Sequence, residues 1–309
     1  MQTAAGREIS ARAYIAVALI GLGGAWNAGT VGPVASEIAA EFDVSLAVVG
    51  LLSGTLFLGS AAIGLLVAAQ IGERSGLARG LRLSCGLFIV GNLLFAVSPV
   101  FATLAIGRVL VGLGFALMNP LGAVWARNAG GVRLIGVFGA SIQLGIALAL
   151  LLGSGLSDAG IDWRVGFLVA AALSVASFLA IPAGSDSAPT APERVKGFLG
   201  AALRHARVYR LAMLFISIYG VPMVLSAWLV EYLVRDGDLR KALAGVIAFV
   251  LFGLSAVVRE LGAKLQERGL PHVLLSGSLG LAAIGLAAIA FDPTQTVAFA
   301  AVVLFGIGF

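Results

Sequence analysis

Among the residues with polar groups inside long apolar runs of this sequence, seven stand as candidates for binding: Trp26, Asn27, Thr30, Arg108, Asn119, Gln143 and Tyr219. Their hydroxyl, amide, indole and guanidinium groups can hydrogen-bond a solute or a neighbouring helix. Arg108 is the one basic residue well inside a run. A central arginine costs at least about 2.5–3.5 kcal/mol on membrane-insertion scales, so it must face a cavity or a partner. Trp26 adjoins Asn27 and Thr30 lies one turn on, which gathers three such groups in one run. A lone amide in a span serves as interhelical glue as readily as it lines a cavity, and both readings stay open for Asn27, Asn92, Asn119 and Gln143. No Asp or Glu lies at mid-depth in the first six runs. Glu231, near the end of the seventh beside Tyr232, is the nearest carboxylate. Uniport, or proton coupling through Arg108 or Glu231, is the expectation. Catalysis within the membrane needs paired groups at one depth, and no buried His, Asp or Glu pair is present. His205 and His272 fall in polar gaps and Cys85 is the single cysteine, so no cofactor, metal or intrachain disulfide is expected.

The elements that hold these groups are apolar helices. Of 309 residues, 60% are hydrophobic and 11% charged, against about 25% charged in soluble domains. A crossing helix needs about 20 mostly apolar residues. Runs near 13–36, 46–69, 81–99, 101–124, 132–155, 163–182, 209–233, 242–259 and 272–291 qualify. A tenth, 295–309, is about 22 Å long at 1.5 Å per residue and falls short of the hydrocarbon core, so the chain is expected to end inside a span. The first run is too long for a cleaved signal peptide and is followed directly by further spans.

Basic residues set the orientation. With the N-terminus in the cytoplasm, Arg164, Arg235, Arg240 and Lys241 fall outside and Arg108 within a span; the other fifteen of 20 fall inside. Outer loops instead carry Glu37, Glu41, Asp43, Asp158, Asp162 and Asp292. A multi-pass protein of the cell membrane with a cytoplasmic N-terminus is therefore expected, with lipid and not nucleic acid as its surroundings. The longest gap, 181–210, begins as a Pro/Ser/Ala/Gly linker. It ends with Val195, Phe198, Leu199, Ala202, Leu203 and Ala206 at helical spacing beside Lys196, Arg204 and Arg207, which reads as an amphipathic helix on the inner leaflet.

The chain also echoes itself. LVGLGF at 110–115 returns as LFGIGF at 304–309, and Glu73-Arg74 as Glu267-Arg268, each 194 residues on. Two anchors at one offset argue for a tandem duplication of a six-span module. The organisation expected is an N-terminal bundle 1–182, a cytoplasmic linker 183–208 and an incomplete C-terminal bundle 209–309, with about ten of twelve spans present. Parallel repeats of this kind place a solute site between the halves near the bilayer midplane.

Three motifs resemble the major facilitator superfamily. AQIGERSGLAR, 69–79, is similar in part to that family's loop between spans 2 and 3, written G-x-x-x-D-R-x-G-R-[KR]. Glu73 stands for the Asp, Arg74 and Gly76 match, Ala69 replaces the first Gly, Leu77 and Ala78 replace the basic pair, and Arg79 follows one place late. Arg108, Gly112 and Gly114 match R-x-x-x-G-x-G of the fourth span, and DWRVGF, 162–167, looks like the opening of the sixth. The resemblance implies an all-α polytopic bundle of two pseudo-symmetric six-helix halves. It implies a gating role for Glu73, Arg74, Gly76 and Arg79, with the acid set against the start of span 11. It also favours Asn27, Asn119, Gln143 and Tyr219 as cavity-lining groups, since in that family spans 1, 4, 7 and 10 line the cavity with help from 2, 5, 8 and 11. The fifth span, GVFGASIQLGIALALLLGSG, lacks the Gly-Pro motif of drug–proton antiporters. Gly76 and Gly80 are both expected to turn the loop at positive φ. The dense glycines of span 2, with Gly112 and Gly114 of span 4, are expected to let helices approach closely.

The resulting expectation is a monomeric secondary carrier that moves a small solute by alternating access, with a lean towards efflux. The alternative is a non-transporting truncated remnant or membrane-embedded partner protein.

Overall fold

The computed structural model describes residues 10–182, 204–267 and 271–308, and the described residues are helical with no strand among them. Hydrocarbon offers the backbone no water to bond, so apolar runs of this length close their hydrogen bonds internally. The order is α1 (Ala11–Gly29), a 3-10 turn (Gly32–Val34), α2 (Ala35–Glu41), α3 (Leu46–Ser75), α4 (Leu77–Val97), α5 (Phe101–Asp158) and α6 (Arg164–Ala180). Then come α7 (Ala206–Phe215), a π-turn (Ile216–Gly220), α8 (Val221–Arg235), α9 (Lys241–Glu267), α10 (Pro271–Phe291) and α11 (Gln295–Gly308). The fourth and fifth apolar runs form one continuous 58-residue element, α5, broken where Gly130 and Gly131 leave helical geometry. Its arms, 101–129 and 132–158, run in opposite directions along the bundle.

By length and composition Ala11–Glu41, Leu77–Val97, Phe101–Asp158 and Lys241–Val258 each suffice to cross a membrane, and shorter apolar helices accompany them. Large apolar side chains stand on the outer surface, among them Leu51, Val97, Ile106, Leu179 and Ile284. A surface this apolar belongs against lipid. The molecule is a multi-pass, all-helical membrane protein.

Ser10 and Ser45 accept the backbone N–H of Ala13 and Val48 and so start α1 and α3. α3 turns into α4 at one residue, Gly76, with φ 84° and ψ 157°. Only glycine adopts that geometry freely. Gly80 does not share the role. It lies inside α4, where a Cβ would meet Leu121 Cδ1 at 2.5 Å, and its φ is not positive. One flexible residue suffices for the reversal, and the second glycine serves close packing. Gly76→Ala is expected to destabilise the protein by about 1–3 kcal/mol. Thermal unfolding followed by circular dichroism in detergent checks this; an unmoved midpoint would show that the junction relaxes around a side chain.

Several close approaches recur 194 residues apart. A Cβ at Gly91 would lie 2.6 Å from Gly107 O, and one at Gly285 would lie 2.5 Å from Ala301 O. Gly114 backs onto Ser84 O and Gly308 onto Ser278 O. Gly112 abuts Leu56 O, and Gly306 abuts Leu251 O, one residue off the same offset. The packing of α5's first arm on α4 and α3 is thus repeated by α11 on α10 and α9. Of the sequence anchors, Arg268 lies outside the described residues, as does most of the linker at 183–203.

Candidate functional site

A cavity of about 600 Å³ opens between α3, the first arm of α5 and the π-turn–α8 segment. Gly50, Ser53 and Gly54 supply one wall and Phe115 a second. Ile216, Tyr219 and Gly220 of the π-turn face them, with Met223, Val224, Ala227 and Trp228 of α8. Pro222 explains the irregular turn, because it lacks the N–H that would bond the carbonyl of residue 218. Single π turns inside helices are frequent at functional sites.

The bundle is shut at the end that carries connections 42–45, 98–100, 159–163 and 236–240. Lys241, opening α9, donates to Glu37 Oε1 at 2.7 Å, Ser157 Oγ at 3.1 Å and Ser36 Oγ at 3.2 Å. Ser157 also donates to Glu37. Arg240 pairs with Asp158 at 3.0 Å. Beneath these ion pairs backbones touch. A Cβ at Gly32 would lie 2.7 Å from Ala227 O and 2.8 Å from Ser226 O, and one at Gly245 would strike Ser154. Beside this latch, Arg164 and the Trp163 indole both grip Glu41, at 3.0 and 2.7 Å. Trp163 also meets Phe42, Phe95 and Phe167 edge-on.

The residues singled out by the sequence fall in several places. Tyr219 lines the cavity. Trp26 and Thr30 border a separate crevice between α1, α5 and α6 with room for about 10 Å³, about one water molecule. The Trp26 indole donates to Gly166 O and ties α1 to α6. The Asn27 amide is buried and donates to Gly23 and Gly24 of its own helix, and Asn119 donates to Phe115 O in the same manner. Gln143 is buried, and its Oε1 meets no donor among the described residues. Arg108 is 1% exposed. Its guanidinium donates to Asn27 O at 3.0 Å and, more weakly, to Leu52 O at 3.4 Å. Among the described residues no carboxylate forms an ion pair with it. Asn27 closes the last turn of α1, where carbonyls lack intrahelical partners. Thr30 serves Trp26 O at 2.7 Å, Arg108 serves Asn27 O, and Ser226 of α8 reaches Ala28 O at 3.5 Å. A cation there also meets the negative end of the helix dipole.

Gly112 backs onto Leu56 O and Gly114 onto Phe88. Arg79 is exposed in the first turn of α4. Glu73 and Arg74 lie in the last turns of α3, and their side chains are outside the described residues. Sequence reasoning missed Ser53, Phe115, Met223 and Trp228 as cavity residues. An apolar residue on a cavity wall has the same signature as one in the core. The glycines of span 2 carried a signal, but Gly50 is pressed on Trp228 whereas Gly54 faces open space.

Comparison with known proteins agrees with this architecture. The chain is 30% identical over 130 residues to probable plastidic glucose transporter 2 of Arabidopsis thaliana, covering 40% of this chain and 26% of that one. It is 29% identical over 174 residues to the uncharacterized MFS-type transporter Rv1877 of Mycobacterium tuberculosis, covering 54% and 24%. The chain thus spans about a quarter of the length of these curated relatives. Among solved structures, the partially occluded inward open xylose transporter XylE from E. coli superposes with a TM-score of 0.74 at 16% identity, over 96% of this chain and 83% of that one. A bacterial homolog of the human lysosomal transporter Spinster, inward-facing and occupied, gives 0.69 at 21% identity, over 98% and 72%. These last two likenesses are of fold. The profile of the Major Facilitator Superfamily matches residues 17–309, and the chain belongs to that superfamily.

Proposed function

We propose that this protein is a secondary active carrier that moves a small solute by alternating access. The observation that carries the reading is the 600 Å³ cavity between α3 and α5 on one side and the π-turn and α8 on the other, with the two sides latched together at one end. In this reading residues 1–182 and 209–309 form two related bundles joined by the linker 183–208. The glycine approaches repeated at 194 residues support that relation. So do the left-handed residues Asp43 and Asp238, which follow the first and seventh crossings. The latched end faces outward and the N-terminus lies in the cytoplasm of a cell-membrane protein acting as a monomer. The inward-facing descriptions of its structural neighbours suit this assignment. Apolar walls favour export of the solute. In this reading the carrier works as a uniporter, or couples through Arg108 or through Glu231, which is buried and held by Arg235 at 2.8 Å.

The test is access. In proteoliposomes, Ser53→Cys is expected to react with an impermeant maleimide from the inner face, and from the outer face only as the carrier cycles. Labelling from one face under all conditions would refute alternating access. The latch itself is worth little: partly exposed ion pairs contribute about 1 kcal/mol or less. Lys241→Met is therefore expected to raise outer-face labelling only severalfold, and Glu37→Gln added to it to change little more. Additive effects of the two would separate Lys241 from Glu37.

A further inference from the structure

We infer that the cavity takes an uncharged, ring-bearing apolar solute, and neither a polyol nor an ion. This rests on the carrier reading and specifies its substrate class. Phe115, Tyr219 and Trp228 present rings from two sides of the space, with Met223 between turns of the π-turn–α8 wall. Rings set against rings in offset or edge geometry gain about 0.5–1.5 kcal/mol beyond area burial. Among the described lining residues the side-chain hydroxyls are those of Ser53 and Tyr219, and none is charged. A sugar brings four or five hydroxyls, and each one buried without a partner forfeits about 1–3 kcal/mol. An ion would lose its hydration with no opposite charge among the described wall residues.

The charged residues buried among the described ones are already committed. Arg108 donates to carbonyls of α1 and α3, and Glu231 is bridged to Arg235. Neither is among the lining residues. The volume of about 600 Å³ lies within the range of about 300–1,000 Å³ usual for pockets that hold drug-sized molecules. Gly54 leaves part of the wall bare: no heavy atom lies within 4 Å of where its Cβ would be.

Two probes of one shape separate the classes. N-phenyl-1-naphthylamine is neutral, and 8-anilinonaphthalene-1-sulfonate is nearly the same ring system carrying a negative charge. With the full chain in nanodiscs, the neutral probe is expected to bind saturably, with energy transfer from tryptophan that falls in Trp228→Phe. The sulfonate is expected to bind at least about tenfold more weakly, and D-xylose not to displace the neutral probe. Gly54→Leu grows a side chain into the empty space, so it is expected to weaken the neutral probe about tenfold with an unchanged melting midpoint. Equal binding of the sulfonate, displacement by D-xylose, or undiminished binding in Gly54→Leu would each overturn the inference. Failure of the carrier reading has a different mark. If Ser53→Cys is labelled from one face only while Gly54-dependent probe binding persists, the cavity chemistry stands and transport does not.

Discussion

Gly32→Leu is expected to abolish solute movement and to leave Ser53→Cys open to labelling from the latched face. A Cβ at position 32 would lie 2.7 and 2.8 Å from two main-chain oxygens, Ala227 O and Ser226 O. No rotamer change relieves a clash of Cβ with backbone, so the two sides must stand apart. Overpacking of this kind costs about 1–3 kcal/mol, and the upper end shifts a two-state balance about a hundredfold. Because φ at Gly32 is not positive, leucine strains nothing locally, and each bundle is expected to fold. Gly245→Leu, aimed at Ser154 and at Leu150 O 3.1 Å away, is expected to act alike. This exceeds the effect of Lys241→Met because a steric wall is indifferent to solvent and salt, whereas the ion pair is screened. Wild-type flux in both leucine variants would mean that these faces do not need to meet during the cycle.

Arg108→Met is expected to destabilise the protein by about 2–3 kcal/mol, from the Asn27 carbonyl left without its donor and the lost charge–dipole contact, while Leu52 O keeps the Thr55 hydroxyl. Methionine keeps much of the length and apolar stem, so the loss isolates the guanidinium. Arg108→Lys is expected to recover part of it, since one ammonium serves Asn27 O but lacks the planar fork that also reaches Leu52 O. Thermal unfolding in detergent measures both. A solute-binding arginine would give the opposite pattern: an unmoved midpoint in Arg108→Met and lost flux. The asymmetry between the halves sharpens the case. The residue 194 positions on is Val302, also buried, in a helix packed by the same glycine contacts. The guanidinium is therefore dispensable to that packing, and what it touches is the broken end of α1.

The crossings were legible because hydrocarbon leaves the backbone one solution and apolar length alone reports it. The buried arginine was equally legible as a residue in need of a partner. The partner was not, because a main-chain carbonyl has no residue type to read. Asn27 and Asn119 show the same limit. Their amides were open to either interhelical bonding or a solute, and each turns back onto carbonyls three or four residues earlier in its own helix. Tyr219 was found because its hydroxyl stood out in an apolar run. Phe115 and Trp228 beside it on the cavity were not, since rings inside a span are unremarkable. Gly76 and Gly80 looked alike four residues apart, and only geometry separates the hinge residue from the packing residue.

The repeated glycine approaches have a mechanical consequence. Where backbones lie within van der Waals reach over several turns, sliding or bending one helix collides with the next, so α3, α4 and the first arm of α5 are stiff against one another, as are α9, α10 and α11. Compliance is left to the crossings whose regular winding is interrupted: the first, at the 3-10 turn Gly32–Val34, and the seventh, at the π-turn Ile216–Gly220. The π-turn lines the cavity and the 3-10 turn abuts Ser226 and Ala227 under the latch, so elastic deformation is concentrated at the cavity wall and at the closed end.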